Sequence, residues 1–162
     1  MEKSSAGNDL RQTAVERYAD MVVRIAYHNL KNQSDAEDIA QEVFIKLLKQ
    51  PGFNDDGHLK AWLIRVTVNQ CRDFKKSFWQ RNARPLLDEW PVFDQQQQHV
   101  LEELWKLPPD HRNVIYLHFY EGYTLAEIAK MLGKNKNTVG SWFARAKKKL
   151  KNLLTEGDVY HE

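Results

Sequence analysis

Two stretches of this chain concentrate positive charge of the kind that binds phosphate. Between Lys60 and Arg84, the basic residues Lys60, Arg65, Arg72, Lys75, Lys76, Arg81 and Arg84 face a single acid, Asp73. Between Lys134 and Lys151, the basic residues Lys134, Lys136, Arg145, Lys147, Lys148, Lys149 and Lys151 face none. Cations at this density neutralise phosphates and release counterions, the main source of nucleic-acid affinity. Two other stretches reverse the sign. Asp35, Glu37, Asp38 and Glu42 share one segment, and Asp88, Glu89, Asp94, Glu102 and Glu103 another, with no Lys or Arg in either. The formal net charge of +2 over 162 residues therefore hides a strongly segregated chain. A single Lys-rich run is commonly just a solvated helix face. Two such blocks, each on an amphipathic helix, favour nucleic acid.

The elements that position these charges read as helices throughout. Ala14, Val15, Tyr18, Val22, Ile25 and Ala26 recur at the three- and four-residue spacing of one helix face. The polar residues 1–9 before them are expected to fray. Ser34-Asp35-Ala36-Glu37 has the form of a capping box. It predicts a second helix with an apolar stripe of Ile39, Ala40, Val43, Phe44, Leu47 and Leu48, stopped by Pro51-Gly52. A third helix is predicted from about Leu59 to Trp79, with Trp62, Leu63, Val66, Gln70, Phe74 and Phe78 along one side and the aromatic ones in the core. Gln80 to Gln98, with Pro85, Pro91 and the run Gln95–Gln98, reads as a linker. Beyond it, Val100, Leu101, Leu104 and Leu107 form a short helix ended by Pro108-Pro109. Asp110 is placed to cap the next helix, through Val114, Ile115, Leu117, His118 and Phe119 to about Gly122. No segment shows strand-like alternation. The expected fold is all-α: two small helical domains, 10–80 and 98–155, joined by a linker over 81–97.

The second basic block lies in a recognisable unit. Thr124-Leu125-Ala126-Glu127 is another capping box, opening a helix that packs through Leu125, Ile128, Ala129 and Leu132. Gly133 follows where a left-handed cap requires it. Asn135 or Asn137 then caps a helix running to about Leu154, whose inner face is Val139, Phe143, Ala146 and Leu150. A short helix, a glycine turn and a basic second helix make a helix-turn-helix, with the second helix in the major groove. Its outer face offers Lys136, Asn137, Ser141 and Arg145 to base edges, since Arg and Lys suit guanine and Asn suits adenine. Lys147, Lys148, Lys149 and Lys151 suit phosphates.

The sequence excludes other classes. The histidines 28, 58, 99, 111, 118 and 161 are scattered, and His111 and His118 share a helix face and read as surface or partner-facing residues. With no metal-ligand cluster, glycine-rich phosphate loop or nucleophile–base pairing, no enzyme, metal or cofactor is expected. The lone Cys71 rules out an internal disulfide and reads as a small helix residue. No apolar run approaches the ~20 residues of a membrane span, and the first residues lack a signal-peptide core. A cytoplasmic protein without direct membrane insertion is expected.

The motifs together carry a resemblance. Ser34-Asp35-Ala36-Glu37-Asp38-Ile39-Ala40-Gln41-Glu42-Val43-Phe44 resembles region 2.2 of bacterial sigma-70-family factors. Ala61-Trp62-Leu63-Ile64-Arg65-Val66-Thr67-Val68-Asn69, continuing to Asp73-Phe74-Lys75-Lys76, resembles their promoter-melting helix. Tyr123 to Leu150 resembles the helix-turn-helix of sigma domain 4. Order and separation match the extracytoplasmic-function (ECF) group, which has domains 2 and 4 without domain 3. Lys134 stands where the family usually has an apolar residue, and Gly140 and Trp142 where it has basic or polar ones.

The resemblance implies a removable specificity subunit of core RNA polymerase. Asp35, Asp38, Gln41 and Glu42 would dock on the β′ clamp helices. Arg65, Arg72, Lys75 and Lys76 would hold phosphates of the −10 element of promoter DNA, with Asn69 and the Phe53–His58 loop capturing an unstacked base. Lys136, Asn137, Ser141, Arg145 and Lys148 would meet the −35 element, and the Val100–Tyr120 helices the β flap. The acidic linker would pass through the RNA exit region. An anti-sigma factor, of which membrane-bound forms are common, is the implied inhibitor. The competing reading is a stand-alone, dimeric helix-turn-helix regulator, which leaves the acidic second helix and the Trp62–Lys76 block without a purpose.

Overall fold

The computed structural model describes residues 2–81, 103 and 105–158, with side chains placed for 11–76, 103 and 105–151. The expected linker, beyond Arg81, and the helix expected through Val100, Leu101 and Leu104 lie outside the described residues. The described chain is helical, with no strand. It divides into two units, Met1–Val92 and Phe93–Glu162.

The first unit contains α1 (Glu2–Leu30), α2 (Gln33–Leu48) and α3 (Asp56–Arg81), each packed against the other two. α1 begins at Glu2, so the expected frayed start is helical. Its buried face supplies Val22, Ile25, Ala26 and Tyr27, against which α2 sets Ile39, Val43 and Leu47 and α3 sets Leu59, Leu63 and Ile64. Full burial of each large apolar side chain contributes about 1.5–3 kcal/mol, so these faces fix which way each helix points. The chain reverses after α1 through Lys31, a non-glycine residue at φ 56°.

That reversal corrects the second helix's start. Asn32, not Ser34, is the cap: its Oδ1 accepts the Asp35 backbone N–H at 2.9 Å. With Lys31 already turned, the helix must begin at once, and Asn32 is the first residue able to cap it. Leu48 also departs from expectation, lying 64% exposed outside the core stripe.

In α3 the buried face is turned from the predicted one. Thr67, Val68 and Cys71 are buried with Leu63 and Ile64, while Trp62, Val66, Gln70 and Phe74 are half-buried along the flank. Thr67 spends its hydroxyl on the Leu63 carbonyl at 2.6 Å, which makes its burial tolerable. Burial pushes the Cys71 thiol up to about 12, against a smaller opposing effect of Lys75, so it stays protonated and unreactive at neutral pH. The helix starts at Asp56 rather than Leu59, because Asp55 Oδ1 accepts the His58 N–H at 2.7 Å.

The second unit contains α4 (Pro109–Ile115), a π-helical turn (Tyr116–Tyr120), α5 (Leu125–Leu132) and α6 (Lys136–Asp158). Pro108 stands at the N-cap with Pro109 at the first helical position, so Asp110 lies in the first turn and caps nothing. The π turn ends α4 early. It leaves Leu117 buried and turns Phe119 and Tyr120 outward, 62% and 53% exposed. Arg112 is buried, its Nη1 donating to the Trp105 carbonyl at 3.4 Å, and burial lowers it to about 10. It remains a cation at neutral pH.

Cap placement is open to direct measurement. Asn32→Ala is expected to destabilise the protein by about 1 kcal/mol in denaturant unfolding. Ser34→Ala should stay within about 0.5 kcal/mol. The opposite ranking would return the cap to Ser34.

Candidate nucleic-acid and protein interfaces

With Ile39, Ala40, Val43 and Leu47 inward, α2 presents Asp38, Gln41, Glu42 and Ile45 on its exposed face at i, i+3, i+4 and i+7. Asp35 is half-buried at the rim, its own N–H engaged by Asn32. Ile45 is 54% exposed and, with Leu48, puts an apolar strip beside the acids. An apolar centre with a charged rim is the composition of a protein interface. Sequence reading missed Ile45 and misassigned Leu48. The available signal was that Ile45 lies off the 39–43–47 stripe and on the 38–42 one.

On α3, Arg65, Asn69, Arg72 and Lys76 are all exposed and fall at i, i+4, i+7 and i+11, one straight stripe. Lys75 is half-buried at its edge. At the N-terminal end of the stripe stands an aromatic group. The Phe53 ring meets His58 at 5.2 Å and Trp62 at 5.6 Å, both edge-to-face. His58 and Trp62 precede Arg65 by seven and three residues, so they continue the same face. Trp62 is thus corrected from core to the border of the basic stripe. Cations along a backbone track with aromatic rings at one end suit a single strand of nucleic acid.

The helix-turn-helix forms as read. Thr124 Oγ1 accepts the Glu127 N–H, and Glu127 Oε1 accepts the Thr124 N–H, each at 3.2 Å. Gly133 takes φ 65°, and the Lys134 N–H reaches back to the Ala129 carbonyl at 2.8 Å, leaving the Lys134 side chain exposed. Of the two candidate caps, Asn135 is used: its Oδ1 accepts the Asn137 N–H at 2.8 Å. Val139 and Ala146 are buried, while Phe143 and Leu150 are half-buried. Lys136, Asn137, Ser141, Arg145 and Lys148 all lie exposed on the opposite side.

The flanks of α6 differ from expectation. Trp142 turns toward α4, its ring 6.2 Å from His111, so it is a packing residue beside the outer face. Burial holds the His111 imidazole below its usual range; Asp110 opposes this, while Arg145 and Lys149 add to it. His118 is corrected from a surface residue to a packing one. Its Nδ1 donates to the Tyr123 carbonyl at 2.8 Å, and its ring stands edge-on to Phe143 at 4.9 Å. Among the described residues there is no cluster of His, Cys, Asp or Glu able to hold a metal ion. Nor is any described helix long and apolar enough to cross a membrane.

Comparison with known proteins finds the same two units. The family model for sigma-70 region 2 matches residues 14–81, and that for sigma-70 region 4 matches residues 98–150. The RNA polymerase sigma factor SigV of Bacillus subtilis is 31% identical over 167 residues, covering 98% of this chain and 99% of its own. The ECF RNA polymerase sigma factor SigM of Mycobacterium tuberculosis is 31% identical over 144 residues, covering 85% of this chain and 74% of its own. Among solved structures, CnrH in complex with the cytosolic domain of CnrY aligns with TM-score 0.69 at 24% identity, covering 96% of this chain and 94% of that one. RpoE in complex with the anti-sigma factor NepR from Bartonella quintana aligns with TM-score 0.67 at 20% identity, covering 89% and 96%. At those identities the structural likeness speaks to the fold.

Gly140 stands in the middle of the exposed α6 surface, and a Cβ added there meets nothing within 4 Å. No packing contact inside the protein requires a glycine. Gly140→Ala is therefore expected to stabilise the helix by about 1 kcal/mol. Thermal unfolding of the two proteins checks this, and a lowered midpoint would contradict it.

Proposed function

The chain belongs to the RNA polymerase sigma factors of the sigma-70 family, in the ECF group, and on that basis we propose how its residues divide the work. As such a factor it binds core RNA polymerase and directs it to promoters. Sigma factors are non-enzymatic, and we assign this chain no chemistry of its own. The presence of region 2 and region 4 in one chain, in that order, carries the reading. A stand-alone helix-turn-helix regulator has no use for region 2 and is not favoured.

In this proposal residues 10–80 form the unit that docks on polymerase and melts DNA, 81–97 the linker, and 98–155 the unit that reads the −35 element. The α2 face docks on the β′ clamp helices through Asp38, Gln41 and Glu42, with Asp35 at the rim and Ile45 and Leu48 supplying apolar contact. An exposed surface pair of charges alone contributes about 0–1 kcal/mol, so the apolar strip is what gives such a dock affinity, and the acids its register. The α3 stripe of Arg65, Arg72, Lys75 and Lys76 holds the −10 strand, with Asn69 reading a base edge. Lys136, Asn137, Ser141, Arg145 and Lys148 meet the −35 element. Phe119 and Tyr120, exposed by the π turn, offer apolar surface to the β flap. Work on polymerase places the protein in the cytoplasm. RpoE is found with the anti-sigma factor NepR and CnrH with the cytosolic domain of CnrY in the complexes above, and an anti-sigma partner is proposed here.

The docking face and the reading face separate experimentally. Asp38→Ala combined with Glu42→Ala is expected to weaken binding to core polymerase by about 1–2 kcal/mol, roughly 5- to 30-fold, at unchanged helical content, and wild-type affinity would remove the two acids from the dock. Arg145→Ala is expected to weaken −35-dependent initiation by about 1–3 kcal/mol, provided it contacts a base. An unchanged rate across promoters differing at −35 would take it out of the site.

A further inference from the structure

The connection 49–55 between α2 and α3 is short, carries Phe53, and is tied at both ends to α1. At its near end the Arg11 guanidinium donates through Nη2 to the Gln50 carbonyl. At its far end the Tyr18 hydroxyl donates to Asp56 Oδ2 at 2.5 Å, and Arg17 Nη1 lies 3.3 Å from the same oxygen. Arg11 and Tyr18 are seven residues apart, two turns along one rigid helix, or about 10.5 Å of rise. The segment is braced internally as well. The Asn54 N–H donates to His58 Nδ1 at 3.2 Å and the His58 N–H to Asp55 Oδ1 at 2.7 Å, while the Phe53 ring is seated on His58 and Trp62.

The two ties on Asp56 are unequal. Arg17 and Asp56 are about half exposed, so their ion pair is screened and minor. Tyr18 is only 7% exposed, and its ring also carries the Lys60 ammonium 6.0 Å from its centre. A part-buried hydroxyl given to a carboxylate makes a charge-assisted bond, stronger than one between neutral groups. Its geometry is fixed by the core of the unit, independently of any DNA.

We infer that Arg11 and Tyr18 are positioning residues for promoter opening: by holding both ends of the 49–55 connection on α1, they preset Phe53, His58 and Trp62 as one aromatic surface for an unstacked base of the −10 strand. The inference rests on the assignment of α3 to the −10 element and adds the splint behind it. A loose connection has to be ordered as the base arrives, at the expense of binding; a splinted one is ordered already. Neither residue touches DNA in this account, and neither lies on the α2 docking face.

The test uses holoenzyme reconstituted from sigma-free core polymerase and a single-stranded −10 oligonucleotide, in which each base in turn is replaced by an abasic site. Wild-type holoenzyme is expected to lose about 10-fold in affinity at one position, within the range of base–aromatic stacking. Tyr18→Phe and, from the α3 side at an exposed position, Asp56→Ala should each shrink that loss by about threefold or more. Affinity for the abasic oligonucleotide and core binding should hold, with the thermal midpoint lowered by no more than the several degrees that one lost hydrogen bond accounts for. The double variant should be no worse than either single one. Arg11→Met should act in the same direction and Arg11→Lys should restore the wild-type pattern. A general weakening of the unit would lower affinity for intact and abasic strands alike, which overturns the inference. So would an undiminished abasic penalty in every variant. If wild-type holoenzyme shows no abasic-sensitive position at all, base capture itself fails, and the splint with it.

Discussion

The apolar face of α1, buried jointly by α2 and α3, is the constraint on which the rest of the N-terminal unit depends. Val22, Ile25, Ala26 and Tyr27 are essentially fully buried, and both partner helices orient to cover them. Once Ile39, Val43 and Leu47 point inward, Asp38, Glu42 and Ile45 point outward. Once Leu63, Ile64 and Cys71 point inward, Arg65, Asn69, Arg72 and Lys76 point outward. Burial at about 1.5–3 kcal/mol per large side chain outweighs exposed charge pairs at about 0–1 kcal/mol. The charged faces are therefore displayed by the core. Because they make few demands on the fold, they are free to serve partners.

The same logic runs on a smaller scale around α6. Val139 and Ala146 anchor it, Gly133 sets the angle at which it leaves α5, and the remaining circumference divides into an outer basic face and two packed flanks. Trp142 against His111 forms one flank and Phe143 against His118 the other. A net charge of +2 is then a sum over faces meant for different targets. Acids and an apolar strip suit a protein surface, and two cationic faces suit DNA. For a factor that acts with polymerase, a near-neutral total limits adhesion to DNA by long-range attraction alone.

Local chemistry was the most legible part of the sequence. The Thr124–Glu127 box, the Gly133 turn and the α6 face follow from bonds between residues a few positions apart, and the structure bears them out. What failed depended on neighbours. Hydropathy ranked Trp62 and Phe74 above Thr67 and Cys71, but the face that α3 buries runs through Leu63, Ile64, Thr67, Val68 and Cys71 and leaves Trp62 and Phe74 on its flank. Leu48 fits the periodicity of its stripe and falls beyond the reach of the helices that cover it. Ser34 is an acceptable cap displaced by Asn32, because Lys31 had already reversed the chain. The π turn inserts an irregularity that no spacing announces, and with it the exposure of Phe119 and Tyr120. The tie from Tyr18 to Asp56 joins residues 38 apart, outside any local pattern. The polymerase-docking and −10 roles proposed for individual side chains came from resemblance, whereas Lys136, Asn137, Ser141 and Arg145 were picked out by the outer face of the helix-turn-helix itself.

The central claim is that this chain supplies promoter choice to polymerase and acts through it. The most direct measurement maps the 5′ ends of transcripts made from genomic DNA by sigma-free core polymerase, with and without the purified protein. The account expects discrete start sites that appear only when the protein is added, each preceded by a common pair of elements at −10 and −35 spacing. Unchanged, scattered initiation, together with tight binding of the protein alone to a palindromic DNA site, would contradict it.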